Sequence, residues 1–176
     1  METAERLSLS SAISEIDRLV PDSRYGLQED LFLLVSRMTP LVNVDILIVN
    51  EAGEKLLTWR HDEFYGPGWH IPGGIVRFKE TMAERLAKVA LREVGCGVTV
   101  VGECLRVTEI LCADRDVRGH FVSHLFKCRL DGEPDASRCA EIGRPNHGQW
   151  AWFAKTPAQL IRQHMRFSDV IDTASP

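Results

Sequence analysis

The run that decides the fold is Gly66-Pro67-Gly68-Trp69-His70-Ile71-Pro72-Gly73-Gly74, continued through Ile75–Lys79 and Glu80–Val94 and closed by Gly95-Cys96. Pro72-Gly73-Gly74 reads as a loop whose backbone can approach a ligand closely, because glycine carries no Cβ. A helix that follows turns free N–H groups and the positive end of its dipole toward an anion. Alone, such a tripeptide is also an ordinary turn. Wound at about 100° per residue, Glu80–Val94 places Ala83, Ala87, Ala90 and Val94 on one face and Met82, Leu86 and Val89 on the next. Glu84, Arg85, Lys88 and Arg92 take the opposite side. Glu93 falls in line with the apolar stripe. A carboxylate there must be paired, protonated or metal-bound, since an unpaired buried charge is too costly. Arg60 and Arg77 are candidate partners; exposure at the helix end is the plainer alternative.

Outward from this run, residues 1–40 read as helical, with breaks at Pro21 and Pro40 and a second short helix over Gln28–Met38. Leu41–Asn50 is β-rich, Glu51–Glu54 a turn and Lys55–Arg60 the returning strand of a hairpin. Residues 61–79 read as loop. Val98–Leu111 and His120–Leu130 are strands around the acidic stretch Ala113–Asp116, Asp131–His147 is a polar loop, and Gln149–Phe153 a short strand. Thr156-Pro157 is expected to open a last helix, with proline at its first position. Hairpin strands with interposed helices give an α+β or α/β/α sandwich with a mixed sheet between helices. The expected organisation is a helical extension over 1–27 and one domain over 28–176.

The chain has 176 residues, about one domain. Its 25 acidic and 21 basic residues leave a net charge of −4, which argues against a dedicated nucleic-acid binder but not against a local anion site. No apolar run approaches the ~20 residues of a membrane span, and the acidic start Met1–Glu5 does not read as a signal peptide. The five cysteines include no CxxC pair, which fits free thiols in a reducing compartment. A cytoplasmic protein without membrane or nucleic-acid partners is expected.

Gly74, Glu80, Glu93 and Gly95-Cys96 resemble the box of the Nudix hydrolases: Gly, five residues, Glu, seven residues, Arg-Glu, two residues, Glu-Glu, one residue, Gly and an apolar residue. Lys88 stands at the box arginine, and Val89 and Arg92 stand at two metal-binding glutamates. That departure, with Leu33–Asp45, Arg60 and the Asn146-His147 pair ahead of Trp150–Phe153, resembles the GDP-mannose mannosyl hydrolase branch. The branch also carries an arginine after the second glycine, where Ile75 stands, and a histidine near Thr108–Leu111, where none occurs.

The resemblance implies a Nudix fold and a Mg²⁺ (or Mn²⁺) ion held by the Gly73 carbonyl, Glu93 and Asn146. It also implies His147 as general base, Arg60 on the departing diphosphate and Asp45, Arg77 and Trp69 at the substrate. The substrate implied is a nucleoside diphosphate sugar of the GDP-mannose or GDP-glucose type, cleaved by water at the anomeric carbon, and the implied assembly a homodimer. Attack at phosphorus and a non-catalytic nucleotide-binding module stay open beside it. So do a solvated histidine for His147 and a surface charge for Arg60. His124 alternates within a strand and reads as a packing residue, while His70 reads equally as a pocket or a packing residue.

Overall fold

The computed structural model describes residues 8–141 and 143–176; the start of the expected extension, residues 1–7, lies outside them. The β-rich runs form a seven-stranded mixed sheet. Strands β1 (Leu41–Val49), β2 (Lys55–Arg60), β3 (Gly68–His70), β4 (Gly73–Ile75), β5 (Val98–Leu111), β6 (His120–Leu130) and β7 (Trp150–Phe153) contribute to it. The main path is β3-β2-β1-β6-β5, with β4 added to β1 and β7 to β2. Among these seven strands β1 and β6 run parallel, from Leu41 beside Phe121 to Ile48 beside Cys128. The other pairings are antiparallel.

Helix α1 (Leu9–Leu19) buries none of its residues, and α2 is Glu29–Ser36. Helix α3 (Met82–Glu93) covers one sheet face, where Leu86, Val89, Ala90 and Val94 pack on Val44, Ile46, Ile48 and Leu56. On the other face Leu41, Leu47, Leu57, Trp59, Trp69 and Leu125 pack with Phe167 and Ile171, and Phe32 of α2 joins them. Ile171 belongs to the short α4 (Ser168–Thr173). The architecture is thus the expected α/β/α sandwich.

Three expectations are corrected. Residues 61–79 are not all loop, since β3 pairs with β2 and β4 with β1. Gly73 and Gly74 are strand backbone: a Cβ on Gly73 would run into the Asp45 carboxylate, and one on Gly74 would come within 2.8 Å of a Val89 methyl. Second, Thr156-Pro157 opens no helix. The Trp69 N–H donates to the Gln159 carbonyl and the Ile161 N–H to the Trp69 carbonyl, so this backbone serves β3; a 3₁₀ segment follows over Arg162–Phe167. Third, the start of α3 is not free for an anion. Thr81 and Glu84 form a capping box that satisfies each other's backbone N–H groups.

Within α3 the buried stripe also differs. Ala83 and Ala87 are exposed, whereas Arg85, expected toward solvent, is buried on Glu80. The helix ends at Gly95, whose φ of +74° lets its N–H return to the Ala90 and Leu91 carbonyls.

Candidate active site

Two cavities open beside α3 and the ends of β1, β2 and β4. The larger, about 650 Å³, is lined among others by Asn43, Asp45, Tyr65, Gly73, Gly74, Arg77, Phe78 and His164. The smaller, about 520 Å³, is lined by Thr58, Glu93, Ser137, Arg138, His147 and Gln149 among others. Arg60, His70 and Arg92 line both, so the cavities meet at these three side chains.

Glu93 sits where the helix pattern placed it, with its side chain 18% exposed. Its partners are neither Arg60 nor Arg77. Oε1 accepts from Arg92 at 2.9 Å, while Oε2 faces the His70 Nε2 at 3.5 Å and accepts from the Thr58 hydroxyl at 3.4 Å. Burial pushes this carboxyl up, but His70 and Arg92 outweigh it and hold it below the usual glutamate value. His70 is fixed by β2, since its Nδ1–H donates to the Thr58 carbonyl at 2.8 Å. That bond puts a hydrogen on Nδ1 and leaves Nε2 turned toward Glu93.

Arg60, at the end of β2, pairs with Asp62 at 2.6 Å and lies 4.8 Å from the centre of the Tyr65 ring. Asp45, on β1, is buried against Gly73 and accepts the Ser123 hydroxyl. Burial pushes its carboxyl up to about 7, against the hydrogen bonds of Ser123 and Asn43. His164 stands next to it, with Nδ1 accepting the Ile71 N–H at 3.0 Å and Nε2 3.9 Å from Asp45. Burial, with His70 and Arg60 nearby, holds His164 well below the usual histidine value. It is therefore a neutral ring whose Nε2–H points at the Asp45 carboxyl.

His147 is on the wall of the smaller cavity, exposed, with Nδ1 accepting the His61 N–H at 3.2 Å. A neutral ring in that arrangement carries its hydrogen on Nε2. Arg77 lines the larger cavity and donates to the Tyr25 carbonyl at 2.5 Å. Two expected residues are placed elsewhere. Asn146 is exposed and lines neither cavity; its N–H donates to Gln149 Oε1 at 2.7 Å, and it is Gln149 that reaches the wall. Trp69 is a core residue, 8% exposed, edge-on to Trp59 and Phe153. Alternation along β3 sends Trp69 to the opposite face from His70. His124 also lines neither cavity.

Sequence reasoning missed Arg138, His164 and the Ser23–Glu29 segment, all of which reach the walls. No local pattern marks them, because they come from short segments distant in sequence from the loop and helix that decide the fold. The walls carry Arg60, Arg77, Arg85, Arg92, Arg118 and Arg138 against the carboxylates of Glu29, Asp45 and Glu93. This local excess of guanidinium in a chain of net charge −4 suits a polyanionic ligand.

Val89 and Arg92 explain the altered carboxylate set. Val89 is fully buried in the core, and Arg92 projects at the cavity junction. Among the described residues no group of three or more His, Cys, Asp or Glu side chains is placed to hold a metal ion. Mg²⁺ keeps several waters and is often held by one or two carboxylates plus substrate phosphates. Glu93, the one carboxylate on the smaller cavity's wall among the described residues, is a donor set that suits a single ion and not a cluster.

A family model described as the NUDIX domain matches residues 39–171. The chain belongs to the Nudix family. Among curated relatives, the low-salt glycan biosynthesis protein Agl8 of Haloferax volcanii is 36% identical over 98 residues. That match covers 53% of this chain and 62% of Agl8, so it spans less than two thirds of the relative's length. Among solved structures, the MutT protein of Methanosarcina mazei Go1 superposes with a TM-score of 0.57 at 20% identity, over 76% of this chain and 94% of that one. The MutT NUDIX hydrolase of Burkholderia pseudomallei gives 0.56 at 22% identity, over 76% and 95%. A UDP-X diphosphatase gives 0.52 at 20% identity, over 88% and 71%. These likenesses show the Nudix fold. No helix among the described residues is long and apolar enough to cross a membrane.

Proposed function

We propose that this Nudix hydrolase cleaves a nucleoside diphosphate sugar of the GDP-mannose or GDP-glucose type at the anomeric carbon, releasing the sugar and the nucleoside diphosphate. The observation that carries the reading is the pairing of Glu93, the only carboxylate on the smaller cavity's wall among the described residues, with the Arg92 guanidinium at the cavity junction. Attack at phosphorus in this family draws on several carboxylates and ions. Departure of an intact diphosphate from carbon instead needs charge neutralised on the leaving group and one activated water. The glycan-related name of Agl8 supports a sugar nucleotide as substrate.

In this reading the water oxygen bonds to the anomeric carbon as the carbon–oxygen bond to the diphosphate breaks, and the bond electrons stay on the phosphate oxygen. Arg60 receives that charge through charge-assisted hydrogen bonds. His147 takes the water's proton, and to use Nδ1 it must release the His61 N–H. Glu93 and the Gly73 carbonyl would hold a divalent ion, Mg²⁺ or Mn²⁺, which when bound supplies Lewis-acid charge to the diphosphate. Asp45 and Arg77 line the larger cavity as substrate contacts.

Product analysis with GDP-mannose and GDP-glucose in the presence of Mg²⁺ tests this. Free hexose with GDP, and solvent ¹⁸O on the sugar, is the expected result. GMP with hexose phosphate would establish attack at phosphorus. Nucleotide binding without turnover would leave a binding module, which the loss of carboxylates at Val89 and Arg92 favours as the second reading.

A further inference from the structure

We propose that Arg92 is a diphosphate-binding residue of this site, a cation supplied by the chain where the two cavities meet. The inference rests on the nucleotide-sugar reading above and assigns the middle of that ligand to a named side chain. Three groups line both cavities, and two of them hold partners that fix their direction, Arg60 through Nε alone. Arg60 is held by Asp62 at 2.6 Å and stacked on Tyr65, and His70 donates to the Thr58 carbonyl. Arg92 has a side chain 60% exposed, and its ion pair among the described residues is with its sequence neighbour Glu93.

Neighbouring residues on a helix point about 100° apart, so Arg92 and Glu93 meet only by bending toward each other. Arg92 is the exposed end of that pair, so its guanidinium can turn to a phosphate while Glu93 keeps Thr58 and His70. The guanidinium also hangs near β4, where a Cβ on Gly74 would lie 3.9 Å from the Arg92 Nη2. Arg138 donates to the Arg92 carbonyl, which brings a further guanidinium to the same end of α3.

The two chambers differ in kind. The larger presents Tyr65, Phe78 and Ile75, the apolar surface that a nucleoside uses. The smaller presents Ser137, His147 and Gln149, polar groups suited to a sugar. A ligand reaching both passes its charged link by Arg92, whose planar fork matches phosphate oxygens two at a time.

The test is calorimetric titration of GDP and GMP into wild type, Arg92→Ala and Arg92→Lys in buffer containing EDTA, with thermal midpoints recorded alongside. Wild type is expected to bind GDP more tightly than GMP. Arg92→Ala should lose about 10-fold in GDP affinity, fall to the level of GMP and keep its midpoint, while Arg92→Lys should recover part of the loss. An Arg92→Ala protein that binds GDP as wild type does would overturn the assignment, even if hexose release stands. So would a lowered midpoint with unchanged affinity. Wild type that neither binds GDP nor releases hexose removes the functional reading as well.

Discussion

The Arg85 guanidinium donates through Nε to the Glu80 carboxylate at 2.7 Å, and both side chains are almost wholly withdrawn from water. Lys88 adds a second contact at 2.8 Å and the Arg77 N–H a third at 3.0 Å. Burial pushes the Glu80 carboxyl up, but these partners more than reverse it and bring it down to about 2. A carboxyl lowered on folding stabilises the protein above its unfolded value near 4.5, and that stability is lost as pH falls toward 2. Glu80→Gln should therefore be about 3 kcal/mol less stable than wild type at neutral pH. In urea titrations across pH, the gap should close between about pH 4.5 and 2. A gap independent of pH would mean that shape, not charge, holds this knot.

The two lost carboxylate positions should respond differently to restoration. Val89 is completely buried between α3 and the sheet, in contact range of Gly74, so Val89→Glu places a charge in an apolar core. A loss of about 3 kcal/mol or more is expected, read as a lower urea midpoint. Arg92→Glu changes an exposed side chain but sets a second carboxylate beside Glu93, so it should cost about 1–2 kcal/mol, less than Val89→Glu. Equal losses would contradict the placement of Val89.

Much of this was legible in the sequence because it is local. The β1–β2 hairpin, β5, β6 and the apolar alignment of Glu93 follow from alternation and helical spacing, which tertiary contacts did not disturb. A helical wheel sends Arg85 to solvent because it cannot see Glu80 folding back from outside the helix. β3 and β4 escape a sequence reading because glycine and proline signal loops, whereas here they pair with β2 and β1 and the glycines of β4 fit against Asp45 and Val89. Glu93 could be found, but His70 and Arg92 as its partners could not, since His70 arrives from another strand. The same holds for His164 on Asp45.

Trp69 separates packing from recognition. Its ring lies in the core against Trp59 and Phe153, away from both cavities. Trp69→Ala should cost about 3–5 kcal/mol of stability, while KM for the sugar nucleotide, measured well below the new thermal midpoint, stays within about twofold of wild type. A raised KM in a protein of unchanged stability would return Trp69 to the substrate.

His147 is the sharpest test of chemistry at the smaller cavity. It is exposed and its one side-chain hydrogen bond among the described residues is with the His61 N–H, so truncation should leave the fold intact. If it takes the proton of the attacking water, His147→Ala should lower kcat about 100-fold or more with a small change in KM. Added imidazole should recover part of the rate, because the cavity of about 520 Å³ that His147 lines is open to a small base. Asn146→Ala is the companion variant. Asn146 lies off both walls, so its loss should leave kcat within a few-fold of wild type and the Mg²⁺ dependence unmoved. A large rise in the Mg²⁺ concentration needed by Asn146→Ala would mean that the loop closes to bring that side chain to the metal, and that His147 travels with it.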